Sequence, residues 1–119
     1  MTTLEQQFEA LLMDDVRIVH QKTHGHYYPK WFVEMVLART GVGAAHHLIA
    51  QPMPQSGLDR LWHEGKRWRE DLLQYSLEAR MRMPEYASLF TAEELATARE
   101  RLALYDYCPP WAKKDNDAT

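Results

Sequence analysis

The sequence predicts an all-α fold, a compact orthogonal bundle of about six helices. Leucine, alanine, glutamate, arginine and methionine are common and β-branched residues are scarce, a composition that favours helices. Apolar residues recur at three- and four-residue steps, and strand-like alternation never persists for more than a few residues. The chain has 119 residues, 45% hydrophobic and 26% charged, which is enough for one domain with a core of its own.

The first helix is predicted from about Thr3 to Lys22. Thr3 and Gln6 have the spacing of a capping box, in which each side chain accepts a hydrogen bond from the other residue's backbone N–H. Gly25 favours the end of the helix. One face of this helix is apolar and carries Leu4, Phe8, Leu12, Val16 and Val19.

A second helix is predicted to begin near Pro29, because proline suits a first helical turn, and to end at about Thr40. A third, short helix is predicted over residues 43–50, before Pro52 and Pro54 forbid its continuation. The residues of these two helices expected to face inward are Trp31, Phe32, Met35, Val36, Ala45, Leu48 and Ile49.

A fourth helix is predicted to begin at Ser56, a suitable N-cap, and Gly65 is expected to break or kink it. A longer helix then follows from about Lys66 to Arg82, ended by Pro84. Its expected stripe of buried residues consists of Trp68, Leu72, Tyr75, Ala79 and Met83.

The last helix has the clearest start in the chain. Thr91 and Glu94 form a second capping box, and Phe90 and Leu95 are placed to pack around it as a hydrophobic staple. This helix is predicted to end near Asp106.

One helical domain is thus predicted over residues 1–107, with a flexible tail over residues 108–119. Cys108 is the lone cysteine, so no internal disulfide points to an oxidising compartment. Residues 2–15 have the pattern of a charged amphipathic helix and not of a signal peptide. No apolar run approaches the ~18 residues of a membrane span. These observations predict a cytoplasmic location and no membrane partner.

The net charge of the chain and its motifs limit the classes of function that the sequence supports. The formal net charge is −3 with histidine neutral, which argues against a dedicated nucleic-acid binder because such domains are usually basic. The six histidines qualify this argument, since they become charged in mild acid. No serine or cysteine stands in a recognised nucleophile motif. The sequence therefore favours a non-enzymatic role and predicts no cofactor.

Four motifs between residues 31 and 107 follow a recognisable order. They are Gly-Val-Gly-Ala-Ala at 41–45, Gly-Leu-Asp-Arg-Leu-Trp at 57–62, Gly-Lys at 65–66, and an ending from Glu85-Tyr86 to Arg101-Leu102. In this order the motifs resemble the sequence pattern of a small all-helical domain family that is common in bacterial genomes and of unknown function. The resemblance implies an all-helical fold and supplies no catalytic residue. The chain departs from the family pattern after Gly65, where Lys66-Arg67-Trp68-Arg69 is basic and aromatic instead of aliphatic and acidic.

Three histidines are candidate metal ligands. His20 and His24 stand four residues apart, so on one helix they would face the same way, as metal-binding pairs do. His26 lies in the following turn. The alternative is that these are polar residues at a helix end, where the helix dipole favours positive charge.

The stretch from Leu58 to Arg69 is a candidate nucleic-acid-binding surface. Basic and aromatic residues together suit phosphate contact and base stacking. The opposing interpretation is a solvated helix face with tryptophans in the core. The basic candidates are Arg60, Lys66, Arg67 and Arg69.

Aromatic residues near element ends form a candidate protein-binding surface. Exposed aromatic residues and arginines are the usual anchors of interfaces. Trp31 is expected instead to close an end of the bundle. The aromatic candidates are Tyr27, Tyr28, Trp62 and Trp68. The leading hypothesis from the sequence is a non-enzymatic interaction module that works through a protein partner or self-association. The alternative is a helix-turn-helix-like domain that binds nucleic acid, and the third hypothesis is a histidine metal site.

Overall fold

The computed structural model describes residues 2–52 and 56–112. Over these residues it contains helices and no strand, so the all-α prediction is confirmed. The α-helices are α1 (Leu4–Lys22), α2 (Lys30–Arg39), α3 (Gly41–Ala50), α4 (Ser56–Trp68), α5 (Leu77–Met81) and α6 (Ala92–Ala103). Short 3₁₀ helices span Leu73–Tyr75 and Pro84–Leu89.

Both predicted capping boxes are present. The Thr3 hydroxyl accepts from the Gln6 N–H at 3.1 Å, and the Gln6 side chain accepts from the Thr3 N–H at 2.9 Å. Thr91 and Glu94 make the same reciprocal pair at 3.1 and 3.0 Å. Each box satisfies two N–H groups that have no partner inside their helix.

The core has two parts that α1 connects. One cluster packs around Phe8, whose ring meets those of Tyr86 and Phe90 edge-on at 5.2 and 5.3 Å. The other lies towards the carboxyl end of α1, around Val19. The buried residues of the first cluster are Phe8, Leu12, Ala45, Ile49, Leu77, Met81, Phe90 and Ala98. Those of the second are Val19, Leu58, Leu61, Leu72, Leu73, Ala79 and Leu102.

The predicted break at Gly65 and the predicted long helix after it are wrong. Helix α4 continues through Gly65 to Trp68. Arg69 then adopts a left-handed conformation (φ 57°) and turns the chain back over the helix. The Glu70 N–H donates to the Gly65 carbonyl at 3.0 Å, and a Cβ at position 65 would lie 2.8 Å from the Glu70 carbonyl oxygen. The glycine therefore permits this close return of the chain and does not interrupt the helix.

The packed structure extends beyond the predicted domain end at residue 107. Pro109 is buried, and the Trp111 indole N–H donates to the Ala79 carbonyl at 2.9 Å. The part of the predicted flexible tail up to residue 112 is therefore packed on α5. Residues 113–119 of that tail, and Pro54 as the stop of the third helix, lie outside the described residues.

Helix α3 begins at Gly41, two residues earlier than predicted, and crosses α1 closely at that point. The Gly41 N–H donates to the Glu9 carboxylate at 2.7 Å. A Cβ on Gly41 would lie 2.7 Å from the Glu9 Cα and 2.9 Å from its Cβ. Only glycine fits this crossing without a shift of one helix.

We expect Gly41→Ala to lower the free energy of unfolding by about 1–3 kcal/mol, the usual cost of overpacking. Urea denaturation monitored by circular dichroism measures the change. Gly57→Ala is the matched control, because a Cβ on Gly57 has no atom of another described segment within 4 Å and alanine is the better helix former. Equal loss of stability in the two variants would contradict the close crossing of α1 and α3.

Candidate functional site

A cavity of about 740 Å³ lies between α1, α2, α4 and the segment 75–78, and we call it the central cavity. Its volume falls within the range of roughly 300–1,000 Å³ that is usual for small-molecule sites. Much of its wall is apolar and comes from Leu12, Val16, Val19, Phe32, Leu58 and Leu77.

Two acidic residues line the central cavity although they are almost fully buried. Asp15 of α1 is 2% exposed and Glu78 of α5 is 5% exposed. The Asp15 carboxylate accepts from the Arg80 Nε at 2.8 Å and from its Nη2 at 2.9 Å. Burial raises the pKa of Asp15 to about 6, even though the hydrogen bonds and charge of Arg80 act in the opposite direction. Burial also raises the pKa of Glu78, against the charge of Arg101.

Each acid pairs with an arginine of another helix. Asp15 of α1 pairs with Arg80 of α5, and Glu78 of α5 pairs with Arg101 of α6. The Arg80 guanidinium lies 4.9 Å from the Trp111 ring centroid and 5.5 Å from that of Tyr75. The Arg101 Nη1 is 3.7 Å from Glu78. Arg101 also donates to the carbonyls of Leu48 (3.0 Å), Ile49 (3.1 Å) and Gln51, and so caps the end of α3.

The pKa of Asp15 predicts a stability that falls with pH. The folded pKa of about 6 exceeds the ordinary 3.8, so the folded state holds this proton more tightly than the unfolded chain. The stabilisation that this bound proton gives to the folded state is therefore complete below about pH 4 and lost as the pH rises through 6. We expect the free energy of unfolding of the wild type, relative to Asp15→Asn, to decrease between pH 4 and 7. Urea denaturation across this range tests the slope, and a constant difference would contradict it.

Trp31 lies at the mouth of the central cavity and is 82% exposed. The expectations that it faces inward and closes the bundle are wrong, because α2 buries Val33 and Val36 instead. Leu37 on the same helix is 75% exposed. Trp31, Glu34 and Leu37 follow at steps of three residues and form the outer face of α2.

Of the four aromatic candidates, Tyr27, Trp62 and Trp68 pack mainly against other residues of this chain. The Arg60 guanidinium lies 4.6 Å from the Tyr27 ring centroid. Trp62 contacts Tyr105 at 5.5 Å between ring centroids, and the Lys66 ammonium lies 4.4 Å from its ring. Tyr28, by contrast, is 51% exposed.

The four basic candidates are exposed along α4 and in the turn that follows it. Arg60 donates to the Glu64 carboxylate at 2.9 Å and to the His26 carbonyl at 3.2 Å. Arg67 lies 4.9 Å from the Trp68 ring centroid, and Arg69 occupies the left-handed turn. Lys66 lies over the Trp62 ring and Arg67 over the Trp68 ring. These cations of the same chain cover the tryptophan rings that would otherwise stack on bases.

Glu64 lies beneath this basic stretch and accepts from Arg60 and from the Trp68 indole, both at 2.9 Å. Burial raises the pKa of Glu64, but these hydrogen bonds and the nearby cations together outweigh it and leave the pKa below its ordinary value. The carboxylate therefore stays ionised and neutralises part of the stretch.

The three candidate metal ligands do not converge. Helix α1 ends at Lys22, and His24 has a left-handed backbone (φ 52°), so it turns away from His20. The His24 and His26 rings pack on Trp68 at 4.5 and 5.3 Å, whereas His20 packs on Tyr28 at 5.8 Å. Within residues 2–52 and 56–112, no three His, Cys, Asp or Glu side chains are arranged to hold a metal ion.

Comparisons with known proteins find no match to this chain. No protein-family model, no curated protein and no solved structure matches the chain. The resemblance to a bacterial helical family therefore stays a prediction from the sequence motifs.

In the described part of the chain, no helix is long and apolar enough to span a membrane.

Proposed function

We propose that this chain is a non-enzymatic protein-interaction module and that the outer face of α2 is its contact surface. The observation that carries the proposal is the exposure of Trp31, at 82%, beside Leu37, at 75%. Exposed tryptophan anchors are the residues that most often dominate binding energy at interfaces. Tyr28, just before α2, is also exposed, at 51%.

The charge on the outer face of α2 favours a different protein over a second copy of this chain. In a two-fold interface each residue at the centre meets its own copy. Glu34 lies between Trp31 and Leu37, so α2 paired with itself would bring two carboxylates together, which costs free energy. We therefore propose a partner that presents an apolar segment with a basic residue opposite Glu34. The lone cysteine fits a reducing compartment such as the cytoplasm.

Nucleic-acid binding is the less favoured alternative. The exposed cations Arg60, Lys66, Arg67 and Arg69 support it. Coverage of the Trp62 and Trp68 rings by Lys66 and Arg67 counts against base stacking, and so does the net charge of −3.

A pull-down from host lysate with three forms of the protein tests the proposal. The forms are the wild type, Trp31→Ala, and Leu104→Ala as a matched control, since Leu104 is 68% exposed but lies outside α2. We expect one protein that the wild type and Leu104→Ala retain after nuclease treatment and that Trp31→Ala loses. With that protein purified, Trp31→Ala should weaken the affinity at least about 30-fold, as hot-spot residues do.

The other outcomes refute the proposal in distinguishable ways. Retention by Trp31→Ala equal to that of the wild type would remove the outer face of α2 as the contact surface. Recovery that depends on intact nucleic acid, and that Lys66→Glu/Arg67→Glu abolishes, would favour the alternative. A concentration-dependent dimer in light scattering that Trp31→Ala dissolves would make the partner a second copy of the chain.

A further inference from the structure

We infer that α2 is a flap on the central cavity and that it opens about a strained hinge at Thr40. Phe32 and Met35 of α2 form part of the cavity wall, so the movement uncovers the apolar interior of the cavity. The hinge is a property of the fold and does not depend on whether the outer face of α2 binds a partner.

Thr40 connects α2 to α3 in a backbone conformation that is rare for its residue type. Its φ of 71° and ψ of 169° lie in a region that is essentially restricted to glycine. At positive φ a β-branched residue is a steric outlier. The conformation therefore costs free energy, and it persists only while the surrounding structure enforces it. Rotation of Thr40 to a negative φ removes that cost and turns α2 relative to α3.

The α3 side of this hinge is fixed. The Gly41 N–H donates to the Glu9 carboxylate at 2.7 Å, and a Cβ on Gly41 would lie 2.7 Å from the Glu9 Cα. The Thr40 hydroxyl accepts from the Gly43 N–H at 3.2 Å and so caps α3. The cap explains why threonine occupies a position whose backbone suits glycine. Because α1 and the cap hold the start of α3 in place, relief of the strain moves α2.

The side chains of α2 hold it to the bundle by apolar contact alone. Val33 and Val36 are its buried residues. Among the described residues, no hydrogen bond, ion pair or ring contact joins an α2 side chain to another part of the chain. Each of the other α-helices has at least one such link to another segment, as α1 and α5 have through Asp15 and Arg80. Helix α2 can therefore leave the core without breaking a polar side-chain contact.

The opening joins the two faces of α2 in one movement. Trp31 and Leu37 are exposed on its outer face, whereas Phe32 and Met35 line the central cavity. A protein on the outer face and a molecule in the cavity both act on the position of α2. Each shifts the balance between the closed and the open helix only as far as it binds one of the two states more tightly.

Thiol labelling of Val36→Cys, in a chain that also carries Cys108→Ser, measures the opening. Val36 is 1% exposed, so a reagent reaches a thiol there only when α2 opens or the whole chain unfolds. Urea denaturation of the same variant gives the globally unfolded population and hence the labelling rate that unfolding alone allows. We expect labelling at least about 30-fold faster than that rate, as for a local opening. Val33→Cys, at 8% exposure on the same helix, repeats the measurement should Val36→Cys not fold. Labelling no faster than global unfolding allows would overturn the proposal.

Two glycine variants test the hinge. Thr40→Gly removes the strain of the closed state, so it should slow the labelling of the buried thiol on α2 at least about three-fold. Thr91→Gly is the matched control, because Thr91 also caps a helix through its hydroxyl but has an ordinary φ of −78°. Glycine at position 91 only loses a cap and should not slow the labelling. Labelling of Thr40→Gly as fast as that of the parent, or equal slowing in both variants, would remove strain at Thr40 as the cause of the opening and overturn the proposal.

Discussion

Asp15→Ala is expected to lower the free energy of unfolding by about 3–5 kcal/mol at neutral pH, the usual cost of removing one partner from a buried ion pair. The Arg80 guanidinium donates two hydrogen bonds to Asp15, and both residues are buried. Alanine leaves that positive charge without an anion and with little access to water. Urea denaturation at pH 7 measures the loss, and Asp14→Ala on the exposed side of α1 is the matched control.

Replacement of both partners should have a much smaller effect. The raised pKa of Asp15 shows that burial outweighs the stabilisation that Arg80 supplies. Apolar pairs of similar volume often replace such ion pairs at no cost or with a gain. We therefore expect Asp15→Leu/Arg80→Met to recover most of the stability that Asp15→Ala loses. A double variant as unstable as Asp15→Ala would mean that the ion pair itself, and not the stranded arginine, determines the cost.

The features of the fold that could be predicted from the sequence depend on residues close together in the chain. The two capping boxes are examples, because Thr3 and Thr91 each find their partner three residues away. The sequence does not indicate the return of the chain at Arg69, because the glycine that permits it is four residues earlier and has the pattern of a helix breaker. The sequence does not indicate that Trp31 is exposed, because α2 is apolar on both faces and its periodicity does not show which face is buried.

The central cavity could not be predicted, because its polar groups come from distant segments. Asp15 lies beside Leu12 and Val16 in the buried stripe of α1, and an acid in such a stripe indicates a buried partner. The partner, Arg80, is 65 residues away, and no local spacing points to it. Glu78 and Arg101 likewise belong to different helices. The candidate residues that local spacing indicates lie instead in the last turn of α1 and the segment after it, and along α4 and the turn that follows it.

Arg101→Met is expected to lower the free energy of unfolding by about 3–5 kcal/mol, because two sets of buried groups lose their partner. The carbonyls of Leu48 and Ile49 at the end of α3 lose a charged donor, and Glu78 becomes an unpaired buried acid. Urea denaturation measures the total loss. Arg17→Met on α1 is the matched control, because the ion pair of Arg17 with Asp14 is exposed to solvent.

Addition of Glu78→Gln to Arg101→Met separates the two contributions. If the unpaired acid carries most of the cost, the double variant should be more stable than Arg101→Met, since a neutral amide replaces the unpaired charge. If the loss of the cap on α3 dominates, the double variant should be no more stable, and amide hydrogen exchange should be faster at the end of α3 in both. Because α3 and α6 pack on each other, a loss of less than 1 kcal/mol in Arg101→Met would contradict both contributions and the burial of this arginine between the two helices.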